Sequence, residues 1–544
     1  MTESPASTAP SDPSPGTTAT ALPGDHQPSG AGLRAGSVGL VGVLFMAVAN
    51  AAPITAMSFN VPIAIGFGNG LGAPAGFLFA TLVLTLFTIG YVAMARHITT
   101  TGAFMGFISH GLGQITGMAS GLLATVAYII FEGSLIGGFA YFAADALQQD
   151  PINITINWMW FAVLGAILIG VLTYFSITLT AAVLSVTLVS EVALLLALGI
   201  SVLVKGGGPD GLLFNDTVPV VPAFHNLDAS AFGTKAAAGI AAIGIFFAFW
   251  SWVGYETTAV YGEESKDPKR IVPRATLIAV VGLGLFYTFM SWMVIAGQGK
   301  QAAVNYSVSA APVDLWLTLV KANLGSVPLG IYKVLLVVGS FACAMAFHNA
   351  AARYLYAIGR EAPWAAVRRT LGGTHPTHRS PAVASWIQTG ITVLLVVLFF
   401  FLTAVTSTDA SGKQVDTPAL VPYTNVYGLL ALIGTAMILI VQTVCSIAVI
   451  WYFWGKKVHS GSVFSTLIAP AIGGLGMIYA LVLLWQNREF AAGAASNSQV
   501  FTLMPVYVVL AIVLGVGYAF WLRARHPAIY GEIGRTTLQE AHER

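Results

Sequence analysis

Between residues 38 and 523 the chain runs apolar again and again for long enough to cross about 30 Å of hydrocarbon. The windows lie at roughly 38–66, 74–95, 117–144, 158–176, 179–204, 238–261, 273–297, 330–357, 382–404, 425–454, 464–485 and 501–523. Inside lipid no water can satisfy a freed backbone group, so each window has to be helical, and the fold class is an all-α integral membrane protein with twelve transmembrane helices. Composition agrees: apolar residues make up 56% of the chain and charged residues 8%, against about 25% charged in ordinary soluble domains. Mean hydropathy is +0.79.

Several function classes fall away at this point. Net charge is +2, and the basic residues are scattered among short loops, which leaves no footprint for nucleic acid. Cys343 and Cys445 both sit in apolar runs, with no disulfide framework or zinc spacing. No G-x-x-x-x-G-K-[ST] run is present, so gradients rather than ATP would drive any transport. No nucleophile, base and orienter stand together, and neither an enzyme nor a cofactor or metal is expected.

Residues 1–36 are rich in Pro, Ser, Thr, Ala and Gly, which reads as a disordered tail rather than a signal peptide. With the N-terminus inside, 17 of the 24 Lys and Arg residues fall on the cytoplasmic side and 7 on the other. That bias, with an even number of spans, puts both termini in the cytoplasm of a cell-membrane protein. The expected organisation is a first repeat over 37–205, a second over 237–455, peripheral helices over 461–524 and a short tail over 525–544. Segments 101–113 and 311–324 read as interfacial helices.

Two of the windows are broken near their middle. The first is interrupted at Ala51-Ala52-Pro53-Ile54-Thr55 and the sixth at Val253-Gly254-Tyr255-Glu256. Breaks at corresponding places in two halves of five spans each predict an inverted-repeat transporter core of the LeuT-like, five-plus-five kind, with the binding site at the breaks.

An ionisable group at bilayer depth costs on the order of 3 kcal/mol and is a functional candidate for that reason. Glu132, Glu191 and Glu256 lie well inside windows, with His348 as a fourth titratable group. Three acids without three basic partners suggest protons, cations or amines. Glu256, at the bend, could cap the amides freed there. Glu132 follows Tyr128 by four residues and so shares its helix face; it could meet a substrate ammonium, carry a proton or bond a neighbouring helix. For Glu191, coupling and plain packing weigh equally, and for His348 and Asn349 helix-to-helix hydrogen bonding is the simpler reading.

Phe246 to Glu256, followed by Gly262-Glu263-Glu264-Ser265-Lys266-Asp267-Pro268-Lys269-Arg270-Ile271-Val272-Pro273-Arg274-Ala275, resembles the sixth-helix signature of the amino acid/polyamine/organocation superfamily of permeases. Phe347 to Arg360 with Arg379-Ser380-Pro381 is similar to its eighth helix and following loop. Ala52-Pro53 and Thr101-Gly102-Ala103-Phe104 resemble the first helix and second loop. The likeness covers roughly 38–455 and departs at Met105, where many relatives carry tyrosine.

That resemblance implies an amino acid permease working by alternating access. The substrate carboxylate would sit on the backbone of Ala51, Ala52, Ile54, Thr55 and Ala56, and its ammonium on carbonyls of Phe249, Trp250 and Ser251, beside Val253, Gly254, Tyr128, Glu132 and Asn349. Trp250 would close over it as a lid. Glu132, Glu191, Glu256 and His348 are the coupling or gating candidates, with the proton as the expected ion and sodium as the other. The partners are thus a small-molecule amino acid or amine and the lipid bilayer, with the protein a monomer or homodimer. The rivals are an amine or polyamine carrier, an amino acid/amine exchanger, and, from another class, a transporter-like receptor or channel.

Overall fold

The computed structural model describes residues 32–148, 153–175, 177–233, 238–309, 311–408, 414–458 and 460–535. Most of the expected N-terminal tail, 1–31, and the last nine residues of the expected C-terminal one, 536–544, lie outside them.

The first window is helical on both sides of its break, as α1 (Leu40–Asn50) and α2 (Pro53–Ile63). Proline has no N–H to continue a helix and crowds the residue before it out of the α region. Ala52 accordingly takes a left-handed conformation, φ +43°. Next come α3 (Ala73–Ala95), the short buried α4 (Phe104–Leu112), α5 (Gln114–Gln148), α6 (Trp158–Tyr174) and α7 (Ile177–Val204). The sixth window is α8 (Ala241–Trp250), a break, and a 3-10 turn over Tyr255–Tyr261. At that break Gly254 has φ +109°, a conformation open to glycine alone.

The rest of the bundle is α9 (Pro268–Gln298), α10 (Ser326–Arg360), α11 (Ala382–Leu402), α12 (Leu430–Ile450), α13 (Ala469–Gln486) and α14 (Met504–Arg525), and a one-turn α15 (Pro527–Glu532). Helices also form at Lys300–Ser307 and Asp314–Leu324, and Thr406–Thr408 pairs with Gln414–Asp416 as a two-stranded antiparallel ladder.

Among the described residues ten helical stretches are long and apolar enough to cross a membrane. Two of the twelve windows differ from expectation. Helix α6 has 17 residues, about 26 Å at 1.5 Å per residue, and the sixth window is divided by its break into pieces too short to count singly. Yet the outward face of α6 exposes Trp160, Leu164 and Leu168, a surface that requires an apolar neighbour. This is a multi-pass membrane protein.

Packing brings the two breaks together. A Cβ on Gly254 would lie 2.4 Å from that of Asn50. Asn50 Nδ2 donates to Thr257 Oγ1 at 2.8 Å, and Asn60 Nδ2 to Ser251 Oγ at 2.7 Å. Helices α5 and α10 run against each other beside these breaks, with α11 across them; α13 packs on α3 and α12, and α14 on α5.

On the side of the chain termini the bundle is sealed by buried ion pairs. Arg353 Nε and Nη2 reach both oxygens of Glu264 at 2.7 and 3.0 Å, and Arg360 reaches both of Glu263 at 3.1 and 2.8 Å. Such forked pairs combine charge with fixed geometry. Thr101 N donates to Glu263 Oε1 at 3.2 Å, and Val38 exchanges backbone bonds with Glu264 and Lys266, each 3.0 Å. The start of α1 is thereby tied to the segment after the second break.

Candidate functional site

Between the breaks lies a small cavity. So small a space means that the walls are drawn in. Ala51, Ala52, Thr55 and Ala56 line it from the first break, and Trp250, Ser251 and Val253 from the second. Phe131, Ser134 and Leu135 of α5, Cys343 and Phe347 of α10, and Tyr427 and Ala431 close the sides. No Asp, Glu, His, Lys or Arg takes part.

The backbone in the breaks is mostly spoken for, and the exceptions are informative. Ala51 O accepts from Tyr287 OH at 2.8 Å, Asn50 O from Cys343 Sγ at 3.2 Å, and Ala52 O from Ala56 N at 2.7 Å. Ile54 N donates to Glu191 Oε2 at 3.2 Å, and Pro53 has no N–H. That leaves Thr55 N–H, in the first turn of α2, with no protein acceptor among the described residues; its hydroxyl meets Ser340 Oγ at 3.3 Å. At the second break the Phe249 and Trp250 carbonyls accept from Trp252 N and Val253 N at 3.2 and 3.0 Å. Among the described residues the carbonyls of Ser251 and Val253 have no such donor. A helix-start amide facing free carbonyls across one cavity suits a ligand with an anionic and a cationic end.

Six residues expected to bind substrate stand outside this cavity. Ile54 is turned inward, its amide on Glu191. Phe249 is buried against Phe79 with ring centroids 6.3 Å apart, and Gly254 packs on Asn50. Tyr128 OH donates to Glu256 Oε1 at 2.8 Å. Asn349 is held by Arg353, whose Nη1 reaches its Oδ1 at 3.0 Å. Glu132 points away from the cavity to His348, Oε1 to Nδ1 2.9 Å, and accepts from Gln388 Nε2.

The remaining acids keep to backbone or side-chain partners. Glu256 Oε2 accepts from Gly254 N at 3.0 Å, so its carboxylate bridges the bend and Tyr128. Trp250 does stand over the cavity, edge-on to Phe59 at 5.4 Å and near Tyr427 at 6.1 Å.

A family model described as amino acid permease matches residues 38–514. The chain belongs to the amino acid permease family. As a relative, this permease matches the branched-chain amino acid permease BcaP of Bacillus subtilis (strain 168), 23% identical over 337 residues, 60% of this chain and 67% of that protein. The expected superfamily and the expectation of a transporter rather than an enzyme are both met.

Sequence reading missed the α5 wall of the permease cavity. Tyr128 and Glu132 drew attention because they can ionise, yet Phe131, Ser134 and Leu135 present the neighbouring face. The i, i+3, i+4 spacing of those three was available as a signal. Asn60 was passed over as well, although a buried amide two residues before Pro62 in an apolar run is a polar group in need of a partner. Tyr427 and Ala431 left no local signal.

Proposed function

We propose that this permease takes up a neutral amino acid with an apolar side chain, by alternating access and in exchange for energy stored in a proton gradient. All twelve windows cross the cell membrane in this reading, the fourth as the short α6 and the sixth as α8 with its 3-10 continuation, and both termini are cytoplasmic. Spans one to five and six to ten are the two inverted repeats.

The cavity carries the argument. Thr55 N–H would receive the substrate carboxylate, where the start of α2 adds its positive dipole end, and the Ser251 and Val253 carbonyls would receive the ammonium. Phe131, Leu135, Phe347 and Trp250 leave an apolar space for the side chain. Discrimination against a charged side chain follows, because nothing in the wall would pair with it. Substrate named for the Bacillus relative, a branched-chain amino acid, has this chemistry. The amine-carrier alternative relied on an acid in the pocket, and Glu132 stands outside it.

Thermal unfolding in detergent with added ligand tests the reading, since a ligand of the folded state raises the melting temperature. Leucine, isoleucine or valine should stabilise the protein and lose that effect on Trp250→Ala. Stabilisation by putrescine or ethanolamine alone would overturn it.

A further inference from the structure

Glu132 and His348 are each fully buried and form a contact that the cavity chemistry does not use. Their surroundings determine how many protons they hold. Thr173 Oγ1 lies 2.8 Å from both Ile169 O and Ser385 Oγ; when its one proton goes to the carbonyl, it accepts from Ser385. Ser385 has then given up its one proton, and at 2.8 Å it can only accept from His348 Nε2. With a proton on Nε2, the 2.9 Å contact between Nδ1 and Glu132 Oε1 requires one more, shared between them. In that arrangement the pair is proton-loaded and neutral overall, as imidazolium with carboxylate or imidazole with carboxylic acid.

Among the described residues no other charged side chain bonds it. Helix α11 carries no ionisable side chain. On α6 Tyr174 bonds His375 at 2.7 Å; on α7 Glu191 bonds Ile54; on α10 Arg353 bonds Glu264; and on α5 Tyr128 bonds Glu256. Lys333 and Asp145 sit thirteen or more residues along their helices from His348 and Glu132, about 20 Å away.

The pair is also joined to the cavity by covalent neighbours. Phe131 and Phe347, next in sequence to Glu132 and His348, both line the cavity and stack on each other with centroids 4.9 Å apart and planes at 15°. One aromatic stack thus separates the acid–imidazole contact from the space for substrate. On its far side Ser385 and Thr173 lead to the end of α6, where the buried Ser380 Oγ donates to Tyr174 O at 2.6 Å and the next residue, Phe175, is exposed on the side of the termini.

We propose that Glu132 and His348 together are the proton-binding site of this permease, and that Ser385 and Thr173 connect it to water on the side of the termini. The inference rests on the proton-driven reading above and assigns its coupling site. Release is a relay: the Nε2–H bond of His348 breaks as a bond to Ser385 Oγ forms, Ser385 passes its own proton to Thr173, and Thr173 passes its own to water. The shared proton stays on Nδ1. What remains is neutral imidazole beside carboxylate, one negative charge richer, with one hydronium formed outside. An uncompensated buried charge draws water or forces its helices apart, and α5 and α10 move with the Phe131–Phe347 stack. Loading closes the permease on the side of the termini, and proton loss favours opening there.

Reconstituted vesicles with leucine as the probe separate this from the transport reading. Counterflow of leucine without a gradient reports transport alone. Accumulation under a one-unit pH gradient, acid outside and no membrane potential, reports coupling, worth up to about tenfold for one proton. Glu132→Gln should abolish accumulation while counterflow falls far less. Ser385→Ala, which leaves the acid–imidazole contact whole, should slow gradient-driven uptake about tenfold and serves if Glu132→Gln does not fold. Gradient-driven accumulation by Glu132→Gln equal to that of the parent protein, or a Ser385→Ala variant with unaltered uptake, would overturn the proposal.

Discussion

Glu191 Oε2 lies 3.2 Å from the amide nitrogen of Ile54, so a side chain of α7 caps the half-helix that starts at the first break. A helix start needs acceptors for its first amides, and at this depth water is not there to supply them. Glu191→Leu should cost about 1–3 kcal/mol, the penalty for a buried donor left unpaired, whereas Glu191→Gln retains an acceptor and should cost less. Thermal unfolding of the two variants in detergent decides; equal melting temperatures would contradict the cap.

Gly254→Ala should fail more severely. Its Cβ would come within 2.4 Å of Asn50 Cβ, and φ +109° strains any side chain. Gly282, in mid-α9 with nothing within 4 Å of its Cβ position, is the matched control, where alanine should be neutral or stabilising by up to about 1 kcal/mol. Size-exclusion profiles and melting temperatures of both variants provide the comparison. A well-folded Gly254→Ala protein would mean that the breaks do not need their close contact.

Arg353 and Glu264 should show strong coupling in a double-mutant cycle. Arg353→Met leaves the Glu264 carboxylate buried beside Tyr261, at a cost of about 3–5 kcal/mol. The added change Glu264→Leu removes that stranded charge and should recover much of the loss. Denaturation of the single and double variants measures the coupling, and simple additivity would show the pair to be inert.

Stability near the C-terminus should fall as pH rises. Glu361, just past the end of α10, accepts from Gly534 N at 2.9 Å, and burial raises its carboxyl from 4.5 to about 8. The folded state thus binds the proton more tightly than the unfolded one. This contribution is full below about 4.5 and is lost as pH rises towards and through about 8. Proteolysis between α14 and Arg535 should speed up from pH 6 to pH 9 and lose that pH dependence in Glu361→Gln. A cleavage rate indifferent to pH in the parent protein would contradict it.

What the sequence revealed depended on how local the cause was. Pro53 and Gly254 act on their own backbone, so both breaks could be located before any coordinates. The ring of walls is different, because α5 is buried nearly all round and a helix without a polar side does not declare which face meets a cavity. Ionisable residues were a poor guide there: Glu132 and Tyr128 found partners on other helices, and the cavity went to Phe131, Ser134 and Leu135. Asn60 and Tyr427 belong to the site only through contacts with residues some 190 and 370 positions away from them, which no local pattern encodes. Ten of the twelve windows are long apolar helical stretches among the described residues; the fourth is the shorter α6 and the sixth is divided at Gly254.

Leucine counterflow into reconstituted vesicles tests the central claim most directly. Vesicles preloaded with unlabelled leucine should take up labelled leucine transiently and saturably, and valine or isoleucine, but not putrescine or lysine, should compete. Absence of counterflow with leucine, together with counterflow for an amine, would contradict the account.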